Sequence, residues 1–162
     1  MTKETRGSIL WEERGADVEQ GKDRNELQME VRDYECDLQG VVNNANYQHY
    51  IEHARHKWLE SLGLDFAALH AQGIDLVVVR AEIDYKLPLK SRDRFVVRSW
   101  FEREGRLRLI CNQDIHRLPD DALIVRARIT ATGIQNGRPS IPPIVEEKLA
   151  AVLASAPGAG GK

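Results

Sequence analysis

The sequence is poor in cysteine and proline, with two cysteines and six prolines among 162 residues. Cys36 and Cys111 lie far apart, whereas a disulfide framework needs several cysteines in a small secreted domain. The pattern excludes a disulfide-stapled class and predicts two free thiols in a reducing compartment. We therefore expect the chain in the cytoplasm.

Long apolar runs and an excess of basic charge are also missing. No segment is long enough to cross a membrane as a helix, and the charged N-terminus lacks the apolar core of a secretory signal. The formal net charge is -2, whereas nucleic-acid-binding domains usually carry a basic excess. The sequence therefore predicts neither membrane association nor a nucleic-acid partner.

The apolar content is sufficient for one folded domain, because 42% of the residues are hydrophobic. Residues 1–25 are polar and lack sustained periodicity, so they predict an N-terminal extension. Residues 26–155 are predicted to form the folded domain. Residues 156–162 predict a flexible tail.

Hydrophobic periodicity predicts the order of the elements in this domain. Residues 26–34 alternate with a period of two, which indicates a strand. From Asn46 the apolar residues recur at helical spacing until Gly63, a residue type that often ends helices. Two more helices are predicted at 65–70 and 144–153, and four more strands at 76–89, 95–101, 107–115 and 123–131.

The long helix needs cover for its apolar face, and the later strands can provide it. Consecutive strands joined by short turns are antiparallel neighbours, and a curved antiparallel sheet can enclose one helix. The predicted fold class is α+β, with the long helix packed on an antiparallel sheet.

The stretch ECDLQGVVNNANYQHYIEHAR places one carboxylate, Asp37, a few residues before this helix. Gly40 permits a sharp turn, and Asn43 or Asn44 can cap the helix. The first N–H groups of a helix lack internal partners and carry partial positive charge, so they stabilise negative charge on a carbonyl oxygen. An ionised aspartate beside them makes a minimal acyl-transfer site.

A thioester is the acyl compound that needs the least help at such a site. A thiol has a pKa of about 8.5, so a thiolate leaves unassisted, whereas an amide needs an acid for its leaving amine. Asp37 could attack the carbonyl to form a mixed anhydride or could deprotonate water, and both routes stay open. The simpler interpretation of Asp37 as a cap or turn residue also stays open.

Two other patterns near Asp37 could belong to a zinc site or to a thiol nucleophile, but each lacks a residue that such a site needs. The segment HYIEH at 49–53 fits the H-x-x-E-H pattern of some zinc peptidases, but no third ligand can be identified. Cys36 has no paired histidine, so we interpret it as a packing residue. The prediction is a site without a metal or an organic cofactor.

Counted from Asp37, the pattern D-x-x-G-V-V-N-N-x-x-Y-x-x-Y-x-E-x-A-R resembles a known family. It is similar to the hotdog-fold acyl-CoA thioesterases of the 4-hydroxybenzoyl-CoA thioesterase superfamily, in particular YbgC-like and FadM-like members, over roughly residues 27–134. The resemblance implies a hotdog fold, with a long central helix wrapped by a curved five-stranded antiparallel sheet. It also implies a homodimer or homotetramer with active sites at the subunit interface.

The resemblance further implies an activity and its residues. The catalytic carboxylate of the family corresponds to Asp37, and the backbone N–H that holds the thioester carbonyl corresponds to Asn44. Tyr47 and Glu52 match positions that support the helix and the site. The residues expected around the substrate are Gly40, Val42, Asn43 and Tyr47. The expected reaction is hydrolysis of an acyl thioester of coenzyme A or of acyl carrier protein.

Alternatives of other classes remain at this point. The chain could be a non-catalytic module that binds acyl thioesters, or a hotdog hydratase or dehydratase. A hydratase needs a histidine near the substrate carbons, and none lies in the Asp37 segment up to Tyr47. The basic residues Lys86, Lys90, Arg92 and Arg94 could meet carrier phosphates, although a solvated strand edge explains them equally well.

Overall fold

The computed structural model describes residues 24–153; the predicted extension up to residue 23 and the predicted tail 156–162 lie outside the described residues. The elements in chain order are β1 (Asn25–Glu30), a 3-10 turn (Asp33–Glu35), α1 (Asn44–Ser61), α2 (Phe66–Ala71), β2 (Ile74–Tyr85), β3 (Arg94–Glu104), β4 (Arg108–Leu118), β5 (Leu123–Gln135), β6 (Arg138–Pro139) and α3 (Pro143–Leu153). Each predicted helix and strand is present, with bounds shifted by a few residues. The two residues of β6 are too few for a periodic pattern.

The strands form one antiparallel sheet in the order β1-β3-β4-β5-β2, and β6 pairs with β5. The sheet curls around α1, which packs against β1, β3 and β4. The predicted α+β class, with five long strands around one long helix, is confirmed. Within residues 24–153, no helix has both the length and the apolar character needed to cross a membrane.

The expectation that all consecutive strands are neighbours is wrong for β2 and β3. β2 lies at one edge of the sheet beside β5, whereas β3 lies between β1 and β4. The connection 86–93 therefore crosses the end of the sheet. It reaches β1, where the N–H of Val31 donates to the Asp93 carbonyl at 2.9 Å and the N–H of Arg92 donates to the Val31 carbonyl at 3.0 Å.

The buried face of α1 is the one that helical spacing predicts. Its buried side chains are Tyr47, Tyr50, Ile51, Ala54, Trp58 and Leu59. Trp58 stacks on Phe101 of β3, with ring centroids 4.6 Å apart, and such aromatic pairs contribute beyond their buried area. This packing fixes the helix against the sheet, and with it the position of the helix start.

The two cysteines differ in solvent exposure, and chemical labelling of their thiols can test how β4 is packed in the core. Cys111 is buried on β4, which raises the pKa of its thiol to about 12, whereas Cys36 is only half-buried. Because the thiolate is the reactive form, N-ethylmaleimide at neutral pH should modify Cys36 and spare Cys111. Peptide mass spectrometry of the labelled native protein measures this, with denatured protein as the control in which both sites react. Labelling of Cys111 before Cys36 would contradict the packing.

Candidate active site

A tight turn holds Asp37 ahead of α1. Cys36 and Val42 form an antiparallel β-bridge, and inside it the N–H of Asp37 donates to the Val41 carbonyl at 2.9 Å. The N–H of Gly40 donates to the Asp37 carbonyl at 3.0 Å, and Gly40 has a φ of 76°, which glycine adopts without strain. The bridge brings Asp37 back beside the residues that enter the helix.

The Asp37 side chain is exposed, and only one of its oxygens is engaged. Oδ1 accepts a hydrogen bond from the N–H of Gln39 at 2.8 Å, which is an Asx turn. Oδ2 accepts no hydrogen bond from residues 24–153. One oxygen therefore holds the turn, while the other is open to a substrate or a water molecule.

At the start of α1, the backbone N–H of Asn44 has no acceptor among residues 24–153. Asn43 is the N-cap: its Oδ1 accepts from the N–H of Ala45 at 3.0 Å, and its carbonyl accepts from the N–H of Asn46 at 2.9 Å. The N–H of Asn44 donates to no acceptor within the described residues, as is usual at the first helical position. The helix dipole adds partial positive charge there, so this N–H suits a carbonyl oxygen.

The connection 86–93 packs directly against this segment. The carbonyl of Leu89 accepts from the N–H of Val42 at 2.8 Å, and the N–H of Leu89 donates to the hydroxyl oxygen of Tyr47 at 3.0 Å. The ring of Tyr85, at the end of β2, lies 5.7 Å from the ring of Tyr47 between centroids. The end of β2 and the connection to β3 thus adjoin the start of α1.

The four predicted substrate-binding residues differ in their exposure to solvent. Gly40 and Asn43 are exposed, whereas the side chains of Val42 and Tyr47 are buried in the core. The Tyr47 hydroxyl is engaged by Leu89, and burial raises the pKa of Tyr47. Within one chain, therefore, only two of the four predicted residues face the solvent.

Sequence reasoning missed Glu35, which lies two positions before Asp37. It is buried, and its Oε2 accepts a hydrogen bond from the hydroxyl of Tyr50. Burial and this hydrogen bond raise the pKa of Tyr50. Strand alternation in the sequence gives no signal for it, because Glu35 lies in the 3-10 turn Asp33–Glu35, in which Asp33 is exposed.

The HYIEH segment does not gather a metal-binding cluster among the described residues. His49, Glu52 and His53 are all exposed on α1, and Glu52 lies 3.9 Å from His56. No group of three histidine, cysteine, aspartate or glutamate side chains within residues 24–153 is arranged to hold an ion. Cys36 packs against the core, as interpreted from the sequence.

Comparison with known proteins finds relatives by sequence. Residues 31–152 match the model of the thioesterase-like superfamily. The chain is 36% identical over 112 residues to the acyl-acyl carrier protein thioesterase ATL2, chloroplastic, of Arabidopsis thaliana, a match that covers 69% of this chain and 60% of the relative. It is 31% identical over 105 residues to the long-chain acyl-CoA thioesterase FadM of Escherichia coli, with 65% and 79% covered. The chain thus spans less than two thirds of the Arabidopsis protein.

Comparison with solved structures finds the same architecture. A 1,4-dihydroxy-2-naphthoyl-CoA thioesterase from Synechocystis superimposes with a TM-score of 0.74 at 21% identity, covering 82% of this chain and 97% of that chain. At this level of identity the likeness concerns the fold alone. The course of the sheet around the helix is therefore shared by the two chains.

Proposed function

The chain belongs to the thioesterase-like superfamily and has the hotdog fold, and from this premise we propose that it hydrolyses acyl thioesters. The observation that carries the proposal is an open oxygen on Asp37, inside the Cys36–Val42 bridge, and an unpaired N–H on Asn44, two residues after that bridge. The products are a free acid and the thiol of the carrier.

In the proposed reaction, the N–H of Asn44 receives the carbonyl oxygen of the thioester. Negative charge develops on that oxygen as the carbonyl carbon becomes tetrahedral, and a preoriented N–H at a helix start stabilises it. The cap formed by Asn43 leaves this N–H free, because it engages the neighbouring N–H of Ala45.

Asp37 supplies the attacking group by one of two routes. In the first, Oδ2 bonds to the carbonyl carbon, the carbon–sulfur bond breaks, the thiolate leaves, and water hydrolyses the mixed anhydride. In the second, the Asp37 carboxylate takes a proton from water and the hydroxide adds to the carbon; the carbon–sulfur bond then breaks, and the leaving sulfur takes up the proton from Asp37. Both routes need the same placement of Asp37 and Asn44.

A second copy of the chain is proposed to cover the site, in a homodimer or a homotetramer. β2 is an edge strand, and its Val78 and Val79 are 50% and 53% exposed. Edge strands with apolar side chains pair readily with another strand. β2 ends at Tyr85, whose hydroxyl lies 3.5 Å from the Asn44 carbonyl oxygen, so this edge runs up to the site.

The carrier of the acyl group is proposed to be coenzyme A or acyl carrier protein, which share a phosphopantetheine arm. Lys90 and Arg92 are exposed on the connection that bonds to Val42. Two cations beside the site can attract a phosphate. The name of the Arabidopsis relative includes acyl carrier protein and that of the Escherichia coli relative includes acyl-CoA, which supports both carriers as candidates.

Turnover of a substrate panel tests the proposed function. The wild-type chain is incubated with acyl-CoAs and acyl carrier protein thioesters of increasing chain length, and with an aromatic thioester. We expect free acid and free thiol in equal amounts from at least one substrate. Chromatography should detect the thiol, because Cys36 would react with colorimetric thiol reagents.

The same panel separates the alternatives. Tight binding of an acyl thioester with no release of thiol would replace the proposal with a non-catalytic binding module. Hydration of an enoyl-CoA without thiol release would replace it with a hydratase.

A further inference from the structure

Glu35 is a buried carboxylate that the proposed reaction leaves without a role. It is 8% exposed, and its Oε2 accepts hydrogen bonds from the Tyr50 hydroxyl at 2.6 Å and from the N–H of Arg32 at 2.8 Å. The Arg32 guanidinium lies 3.5 Å from Oε1. Burying a charge is costly, and apolar residues at such positions are often equally stable. Stability alone therefore does not explain a carboxylate here.

The backbone of Glu35 is also tied to the start of α1. Its carbonyl accepts from the N–H of Asn43 at 3.0 Å and from Nδ2 of Asn46 at 2.7 Å. Asn43, Asn46 and Tyr50 are spaced three and four residues apart, so they lie on one side of the helix. Three donors from this side converge on Glu35, two positions before Asp37.

We propose that Glu35 is a positioning residue, which locks the Asp37 turn to the first turns of α1 and so fixes the Asp37 carboxylate relative to the Asn44 N–H. The inference rests on the proposed function, because Glu35 acts through those two groups. A displacement of about 1 Å between reacting groups can cost about 100-fold in rate. Tyr50 stays a donor across the working pH range, since burial raises its pKa.

Three substitutions test this role. Glu35→Ala should lower kcat by about 10-fold to 100-fold with KM within about twofold, because orientation is lost and binding is kept. Tyr50→Phe, which removes one oxygen, should lower kcat by about 10-fold. Glu35→Gln should restore most of the rate, because its amide oxygen can accept the same two hydrogen bonds.

The measurement is steady-state thiol release per folded molecule, with the folded fraction taken from circular dichroism. Glu30→Gln is the matched control, because Glu30 is exposed at the end of β1 and should leave kcat unchanged. Tyr50→Phe keeps the test valid even when Glu35→Ala fails to fold. Wild-type kcat per folded molecule in Tyr50→Phe and in any folded Glu35→Ala would overturn the inference.

A double-mutant cycle separates positioning from general damage. If Glu35 acts through Asp37, Tyr50→Phe should cost less than about twofold in an Asp37→Asn background, against about 10-fold in the wild type. Equal losses in both backgrounds would overturn the positioning role. A wild-type rate in the single variant Asp37→Asn would overturn the role of Asp37, and absence of thiol release from every substrate by the wild type would overturn the proposed function, so these failures are distinguishable.

Discussion

The variant Asp37→Asn is expected to hydrolyse its best thioester substrate about 100-fold to 10,000-fold more slowly than the wild type. An amide is neither a nucleophile nor a base here, but its oxygen can still accept the N–H of Gln39, so the turn is kept. The free energy of unfolding should therefore change by less than about 0.5 kcal/mol. Chromatographic thiol release and thermal unfolding measure the two effects.

Asp65→Asn is the matched control for this variant. Asp65 is the N-cap of α2, and like Asp37 it is an exposed aspartate that holds a turn: its Oδ1 accepts from the N–H groups of Ala67 at 2.9 Å and Ala68 at 3.2 Å. The same chemical change at this cap should leave kcat at the wild-type value. If Asp37→Asn hydrolysed thioesters as fast as Asp65→Asn, Asp37 would have no part in the reaction.

Local periodicity was sufficient to predict the helices and the five long strands of this fold, but not the 3-10 turn or β6. The helical spacing of Tyr47, Ile51 and Trp58 predicts that they share one buried face of α1, because this face packs on the sheet. The helix start at Asn44 also follows from local chemistry, since the Asn43 side chain caps it. Such features need no knowledge of which strands are neighbours.

Contacts between distant segments could not be predicted in this way. The Leu89 bonds to Val42 and Tyr47 depend on the connection 86–93 crossing the sheet end, and a pattern of alternating residues does not reveal that crossing. These bonds engage the Val42 N–H and the Tyr47 hydroxyl within the chain. Glu35 lies in a 3-10 turn, where no periodic pattern marks a buried position, although its backbone and its carboxylate both bind α1.

The edge position of β2 was hidden for a related reason. Residues 76–79 have the apolar character of a central strand. A pattern of alternating residues does not distinguish a central strand, which has two neighbouring strands, from an edge strand, which has one. The register against β5 shifts between Val78 and Arg80, a bulge of the kind common at sheet edges. Val78 and Val79 are exposed beside this bulge, which supports the proposed pairing of β2 with a second copy of the chain.

Val79→Glu should convert the proposed dimer to monomers and abolish most of its thioesterase activity. In a two-fold pairing of β2 strands the new charge occurs on both chains, and like charges at an interface cost several kcal/mol, so the dissociation constant should rise at least about 100-fold. Light scattering during gel filtration measures the mass, and thiol release measures activity. Leu107→Glu, at a side chain 46% exposed in the β3–β4 turn, is the control that should change neither. A fully active Val79→Glu monomer would show that one chain suffices for catalysis.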